Sequence, residues 1–441
     1  MPLIATLGNA SAKAFGFGSV SLDPYFVGRW TQLARSVFDS TGKDFWLSKS
    51  IDSGITLAKC TYQGPITTWG RDFTRSGWSV QFLGFNPSSN GSHLVSSGST
   101  VQGGSTFDGP YALLLNGANG SVQWQRKLSS YPSRATVQAA AVDNSGDCYI
   151  CAESGSFTYV TKITAAGSLA WTRRLLPQGT NVSARPTGCA VDNAGFVYVA
   201  MRQVPQNGTG PLLIAKIATS DGSVSVSWSV GSRCSESAPG TGTAVFQDGN
   251  LYIQHPILTP DSFRAQQVTK ISSAGTLAWA VYLQGSEANL AAYSVCADAD
   301  GNAVCVGEVN TPTNKRGWWQ KLASANGGEV ASGSITATPN TESGFGGVYA
   351  NSTHIKILPS GNPLLDYHSF PADGSRKKTV TMSGLSVVYG STGIPSLSTA
   401  ATSASTYTWS QSATFSLGLS ASVDLSTATS SLGSATDIVP I

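Results

Sequence analysis

The chain has 441 residues and a net charge of +3, from 27 Lys and Arg against 24 Asp and Glu. Charged residues make up only 12%, which argues against a protein held on nucleic acid by a concentrated basic face. An apolar share of 41%, with 16 Phe, 14 Tyr and 11 Trp, is ample for a packed core and excludes global disorder. Gly, Ser, Thr, Val and Ala dominate, a composition that disfavours helix and favours short strands joined by tight turns.

The first 20 residues carry no charge before Lys13 and no long apolar run, so no secretory signal is expected. No segment approaches the roughly 20 apolar residues of a membrane span, and no membrane insertion is expected. Residues 1–30 precede the first repeat and intersperse small residues with Phe15, Phe17, Tyr25, Phe26 and Trp30. An arm with few charges (Lys13, Asp23 and Arg29) and studded with aromatics is expected to be ordered by docking on something.

Internal repeats dominate residues 31–391. VTKITAAGSLAW (Val160 to Trp171) and VTKISSAGTLAW (Val268 to Trp279) nearly copy each other, with IAKIATSDGSVSVSW (Ile214 to Trp228) between them. Weaker copies are AKCTYQGPITTW from Ala58, LLLNGANGSVQW from Leu113, WWQKLASANGGEV from Trp318 and TVTMSGLSVVY from Thr379. Their turn glycines, Gly64, Gly120, Gly167, Gly222, Gly275, Gly328 and Gly384, are 56, 47, 55, 53, 53 and 56 residues apart.

A second signature alternates with the first: VDNSGDCYI from Val142, VDNAGFVYV from Val191, FQDGNLYI from Phe246 and ADADGNAVCV from Ala297. VFDSTGKDFWL from Val37 and FNPSSNGSHLV from Phe85 extend it forward, and ILPSGNPLL from Ile357 closes it. Each is an apolar run, a turn rich in Asp, Asn, Ser and Gly, then a β-rich run, which is the signal of a hairpin.

Two hairpins per unit, seven times over, predict an all-β fold: a seven-bladed β-propeller of four-stranded antiparallel blades, since such sheets must cover one another's faces. In the fourth blade the strands are expected at Thr187–Asp192, Phe196–Met201, Leu212–Ala218 and Val224–Val230. Trp124, Trp171, Trp228 and Trp279 recur at one position, either as platforms for sugars or as fillers of the wedge between blades; recurrence in every copy favours the wedge. Lys162, Lys216, Lys270 and Lys321 recur likewise and are expected to lay their stems on apolar neighbours with the ammonium in water.

Residues 392–441 change character. Nearly half are Ser or Thr, Lys and Arg are absent, and only Asp424 and Asp437 are acidic. This stretch reads as a C-terminal β appendage. A linker, a strand completing a blade and an appendage pairing with a neighbouring subunit are its three readings. Alternation of Tyr407, Trp409, Phe415 and Leu417 within Thr406–Leu425 favours an ordered strand pair.

Catalytic and metal-binding patterns are weak. Seven widely spaced cysteines do not read as a disulfide framework. Cys148 and Cys151 form a C-x-x-C, but on a strand residues three apart face opposite ways. His93, His255, His354 and His368 show no metal-like spacing, and no G-x-S-x-G elbow, P-loop or dinucleotide fingerprint is present. Asp298 to Asn302 resembles the start of a calcium loop without its twelfth-position glutamate, and the hairpin turn explains the same residues. No catalytic residue, cofactor or metal is therefore assigned, and an enzyme is not expected.

The opening ATLGNASAKAFGFGS, from Ala5 to Ser19, resembles the N-terminal signature of tailed-phage virion structural proteins of tail-fibre or tail-associated type, as in phages of marine or cyanobacterial hosts. That resemblance implies a virion component assembled in the host cytoplasm in multiple symmetric copies, with other virion proteins as partners and a host surface glycan or protein as a further contact. It implies attachment through Leu7, Gly8, Asn9, Phe15 and Phe17. Trp318 and Trp319, adjacent in the sixth blade, are the candidate surface or glycan contacts, because neighbouring strand residues cannot both face one side. A capsid-associated protein (head fibre or decoration) and a propeller enzyme acting on carbohydrate or using a quinone are the alternatives.

Overall fold

The computed structural model describes the backbone of strands lying between residues 27 and 429, and side chains chiefly between residues 86 and 332 with a few positions nearer the N-terminus. The described elements are all β-strands, gathered into seven antiparallel sheets. Sheets 1 to 6 each take four consecutive strands of the chain, joined as two successive hairpins. Sheet 3, for example, is Ala135–Val142, Cys148–Ser154, Phe157–Ile163 and Leu169–Leu176. Sheet 4 is Val182–Val191, Phe196–Pro205, Gly210–Ala218 and Val224–Cys234, so all four strands expected there form, mostly with longer ends.

First strands of sheets 1 to 6 lie against one another in order, as the inner wall of a propeller requires. Sheet 7 lies against sheet 6 and draws on both parts of the chain. It orders Val27–Trp30, Lys377–Met382, Pro363–Ser369 and Val348–Ala350, with Lys356–Ile357 also on Pro363–Ser369. The seven sheets fit the seven copies read in the sequence, and the chain is a β-propeller.

Two expectations need correction. TVTMSGLSVVY was read as the second hairpin of the last blade, but Lys377–Met382 belongs to sheet 7 while Val387–Gly390 pairs with the fourth strand of sheet 6. The reason is positional: the N-terminal Val27–Trp30 already holds the fourth place in sheet 7. The strand pair expected in Thr406–Leu425 does not form either. Ser405–Thr406, Gln411–Thr414 and Gly418–Ser420 pair with three different sheets.

These pieces belong to a strap. Val387–Gly390, Ser396–Ala401, Ser405–Thr406, Gln411–Thr414, Gly418–Ser420 and Ser426–Thr429 add a fifth, outermost strand to sheets 6, 5, 4, 3, 2 and 1 in that order. The tail thus runs around the ring against the order in which the sheets were laid down. An uncovered edge strand is a row of unpaired N–H and C=O groups, and the strap covers six of them.

Between sheets the packing is apolar. Sheets 3 and 4 bury Cys151, Val160, Trp171, Leu175, Val197, Met201 and Leu213 together. Sheets 2 and 3 bury Leu114, Trp124, Cys148 and Ile150. Cys148 and Cys151 therefore sit in different cores on opposite faces of one strand, which disposes of the C-x-x-C as a paired site. Six cysteines among the described residues are free, buried thiols.

Candidate functional site

The recurring tryptophans are joints. Each stands on the fourth strand of one sheet and packs beneath the hairpin turn between strands three and four of the next. Trp69, Trp171, Trp228 and Trp279 donate their indole N–H to Gly117, Thr219, Gly275 and Ser324 carbonyls at 3.1, 3.0, 3.0 and 3.0 Å. The turn glycines lie flat on the rings: an added Cβ would stand 2.8 Å from Trp124 at Gly167 and 2.8 Å from Trp171 at Gly222. Gly222 also has φ +74°, a conformation side chains resist. At the sixth copy the positive-φ residue is Gly327, one before the Gly328 read from the sequence. The wedge reading of the tryptophans holds, and none of the four is available as a sugar platform, since all are buried.

The lysines are more deeply engaged than a snorkelling side chain. In register across the second and third strands, Lys59, Lys162, Lys216 and Lys270 oppose Trp46, Tyr149, Tyr198 and Tyr252 and place their ammonium over those rings. Lys162 also pairs with Asp147 at 2.7 Å and donates to the Thr219 carbonyl of the next sheet. Lys270 corrects the expectation outright. It is 6% exposed and donates to Ser324 Oγ and to the Ser324 and Gly301 carbonyls, and burial lowers its pKa.

Turn aspartates act as internal caps. Asp143 accepts from the Ser145 and Asp147 amides, Asp192 from Ala194 and Phe196, and Asp298 from Asp300 and Asn302. Burial alone would raise the Asp298 carboxyl, but donation by Lys321, 2.5 Å away, and by Asn302 outweighs it and holds the group low. The Asp298 carboxylate is thus engaged by the Lys321 ammonium and by the turn's own amides.

On the same end of the fold the hairpin turns of sheets 2, 3 and 4 are tied together. Asn144 Oδ1 accepts from Ser89 Oγ and the Asn90 amide, Asn193 Oδ1 accepts from the Asn144 amide, and Asn193 Nδ2 donates to Ser89 at 3.3 Å. That last bond joins residues 104 apart in sequence and spans from sheet 2 to sheet 4.

The joint between sheets 4 and 5 differs. Beside the apolar cluster of Leu212, Trp228, Val230, Leu251 and Ile257, it buries Cys234 and His255 with Sγ and Nε2 3.2 Å apart. Gln267 lies opposite His255 on the neighbouring strand and is also fully buried. Gly231, at φ +69°, stands beside it, where an added Cβ would lie 2.5 Å from Gln267 Oε1. Burial, then the nearby Arg202 charge, lowers the His255 pKa to about 3, while burial raises the Cys234 thiol to about 12. Thiol and imidazole are both neutral, the opposite of an activated nucleophile pair. Sequence reading missed this pair; the signal was His255 with Gln254, Gln266 and Gln267 on two neighbouring strands, all buried.

Of the residues singled out in the sequence, Trp318 is fully buried in the core between sheets 5 and 6, which removes it as a surface contact. Trp319 points the other way and is half-buried, opposite Gly333. Leu7, Gly8, Asn9, Phe15 and Phe17 lie outside the described residues. Among the described residues no three His, Cys, Asp or Glu side chains converge on a metal position.

No protein-family profile and no curated protein matches the chain. Solved structures do. Polysaccharide lyase Uly1 is similar over 80% of this chain and 90% of its own, at 9% identity and TM-score 0.47. The quinohemoprotein alcohol dehydrogenase from Comamonas testosteroni is similar over 84% and 78%, at 9% identity and TM-score 0.43. The Dos1 propeller is similar over 82% and 95%, at 7% identity and TM-score 0.42. Likeness at this level carries no argument about function, and propellers host many unrelated functions.

Proposed function

We propose that the protein is a non-enzymatic structural component of a tailed-phage particle, of tail-fibre or tail-associated type, attached through its terminal arm. The observation that carries this reading is the strap. A chain that spends its tail on cross-tying six of its own sheets is built as a persistent rigid part. The turn end, where backbone and side-chain groups bond one another from sheet to sheet, fits the same purpose. The opening ATLGNASAKAFGFGS supplies the link to virion proteins, and Trp319 is the remaining aromatic for contact with a host surface glycan or protein.

The buried Cys234–His255 pair lends no support to a propeller enzyme acting on carbohydrate or using a quinone, because its thiol is held protonated and out of reach. The test is mass spectrometry and cryo-electron microscopy of purified particles from the source lysate. The expected result is the propeller in the particle, with residues 1–26 buried in a neighbouring protein. A position on the head instead of the tail would turn the reading to a capsid fibre or decoration protein. Absence from every particle would end it.

A further inference from the structure

The joint between sheets 4 and 5 brings a sulfur and an imidazole nitrogen together inside the protein. Cys234 ends the strand Val224–Cys234 of sheet 4, and His255 lies in Asn250–Leu258 of sheet 5. Their Sγ and Nε2 atoms are 3.2 Å apart, and both side chains are fully buried. Both atoms are donors that soft metal ions prefer.

Two further polar atoms are left over at the same place. His255 Nδ1 and Gln267 Oε1 are buried and make no hydrogen bond. Gln267 stands directly opposite His255, on Arg264–Ile271, and is itself fully buried. Its Nε2 is spent on Thr269 Oγ1 at 3.0 Å, which fixes the amide and leaves the carbonyl oxygen over. Buried polar atoms without partners are costly, and each calls for a reason. A neutral imidazole carries one proton. When the Nε2 lone pair is given to an ion, that proton sits on Nδ1 and needs an acceptor, and Gln267 Oε1 is an acceptor in need of a donor. Metal-bound histidines are held in this way, with the second ring nitrogen donating to a carbonyl or carboxylate oxygen.

We infer that Cys234 Sγ and His255 Nε2 form a binding site for one soft monovalent ion, copper(I), with His255 Nδ1 donating to Gln267 Oε1. Binding exchanges the thiol proton for the ion: the S–H bond breaks, the proton leaves to solvent, and bonds from sulfur and nitrogen to copper form with no change of oxidation state. Metal bonds of about 2.3 Å to sulfur and about 2.0 Å to nitrogen reach across up to about 4.3 Å, so one ion spans the pair. Charge selects the ion. Thiolate and copper(I) cancel, whereas a divalent ion would add a positive charge to a buried joint that already has Arg202 nearby. Structural zinc also takes four ligands, and among the described residues no three His, Cys, Asp or Glu side chains converge. Bound there, the ion ties sheet 4 to sheet 5.

Anaerobic titration of the full chain with copper(I), buffered by the chelator bicinchoninate, tests the site, and X-ray absorption at the copper edge reads the donors. The expected result is one equivalent held by mixed sulfur and nitrogen coordination, lost in Cys234→Ser and in His255→Gln. Gln267→Leu keeps both donors and is expected to weaken binding about 10–100-fold. Copper(I) should also raise the thermal midpoint of the full chain and leave that of Cys234→Ser unmoved. No uptake by the full chain, the same uptake in Cys234→Ser, or coordination by sulfur alone would each overturn the assignment. Should Cys234→Ser fail to fold, His255→Gln, which retains the thiol, carries the test: unchanged affinity and donors in that variant would overturn it equally.

Discussion

The two joints that flank sheet 4 share a tryptophan, its bond to a turn carbonyl and a positive-φ glycine, and differ in how closely that glycine fits and in what lies beside the ring. Trp171, between sheets 3 and 4, is pressed by Gly222 with 2.8 Å to spare for a Cβ, and Arg173 donates to the Gly222 carbonyl at 2.6 Å. Trp228, between sheets 4 and 5, leaves 3.7 Å above Gly275, has Val230 in place of the arginine, and adjoins the neutral Cys234–His255 pair. One joint is tight at its turn glycine, the other looser there and flanked by a buried Cys–His pair. A repeat preserves its anchor and lets the surroundings drift, because the indole supplies most of the buried area while its neighbours adjust the fit.

The largest break is expected from removing an anchor. Trp171→Ala leaves a cavity at a tight joint and is expected to cost about 3–5 kcal/mol in chemical denaturation. Trp228→Ala should fall at the lower end of that range, since its pocket is less closely filled. Equal losses would show that the ring alone decides both joints.

Acid sharpens the contrast. His255 titrates near 3 in the folded chain against about 6.5 when unfolded, so the unfolded state binds the extra proton in between. Its contribution is complete above the unfolded value and is lost as pH falls, at up to about 1.4 kcal/mol per pH unit between about 6 and 3. His255→Gln is expected to flatten this part of the stability curve, whatever it does at neutral pH. A curve of unchanged slope in the variant would place the acid-sensitive group elsewhere.

The turn glycines come next. Gly222→Ala and Gly275→Ala both force a side chain into a positive φ, +74° and +76°, at about 1–2 kcal/mol each. Only Gly222→Ala also drives a methyl into the indole, adding about 1–3 kcal/mol, so the thermal midpoint should drop further for it. Arg173→Met is the smallest change, about 1–2 kcal/mol for a lost charge-assisted bond to the Gly222 carbonyl. The thermal midpoint should move down by less than for either Trp171→Ala or Gly222→Ala.

The parts legible in the sequence are those whose causes are local. A turn glycine with a tryptophan four to six residues later, in four of the five copies with a lysine shortly before the turn, marks a hairpin wherever it recurs, and the first five such copies form as read. The sixth forms with Gly327 in the strained position. The last failed because TVTMSGLSVVY has the right spacing but no vacancy to fill: sheet 7 had already taken Val27–Trp30 from the other end of the chain. Trp319 and Trp318 show the same limit on a smaller scale. Alternation says that one faces each way, and only the neighbouring sheet says which is buried.

By itself, then, the sequence determined the strands, the turns between them and the repeating joints, since those follow from side-chain alternation, glycine conformation and contacts a few residues apart. The tertiary structure alone decided the strap, the joining of Val27–Trp30 to sheet 7 and the polar pocket at His255. A Ser- and Thr-rich strand pairs through its backbone, and backbone groups are the same in every residue, so no local pattern says which distant edge such a strand will cover.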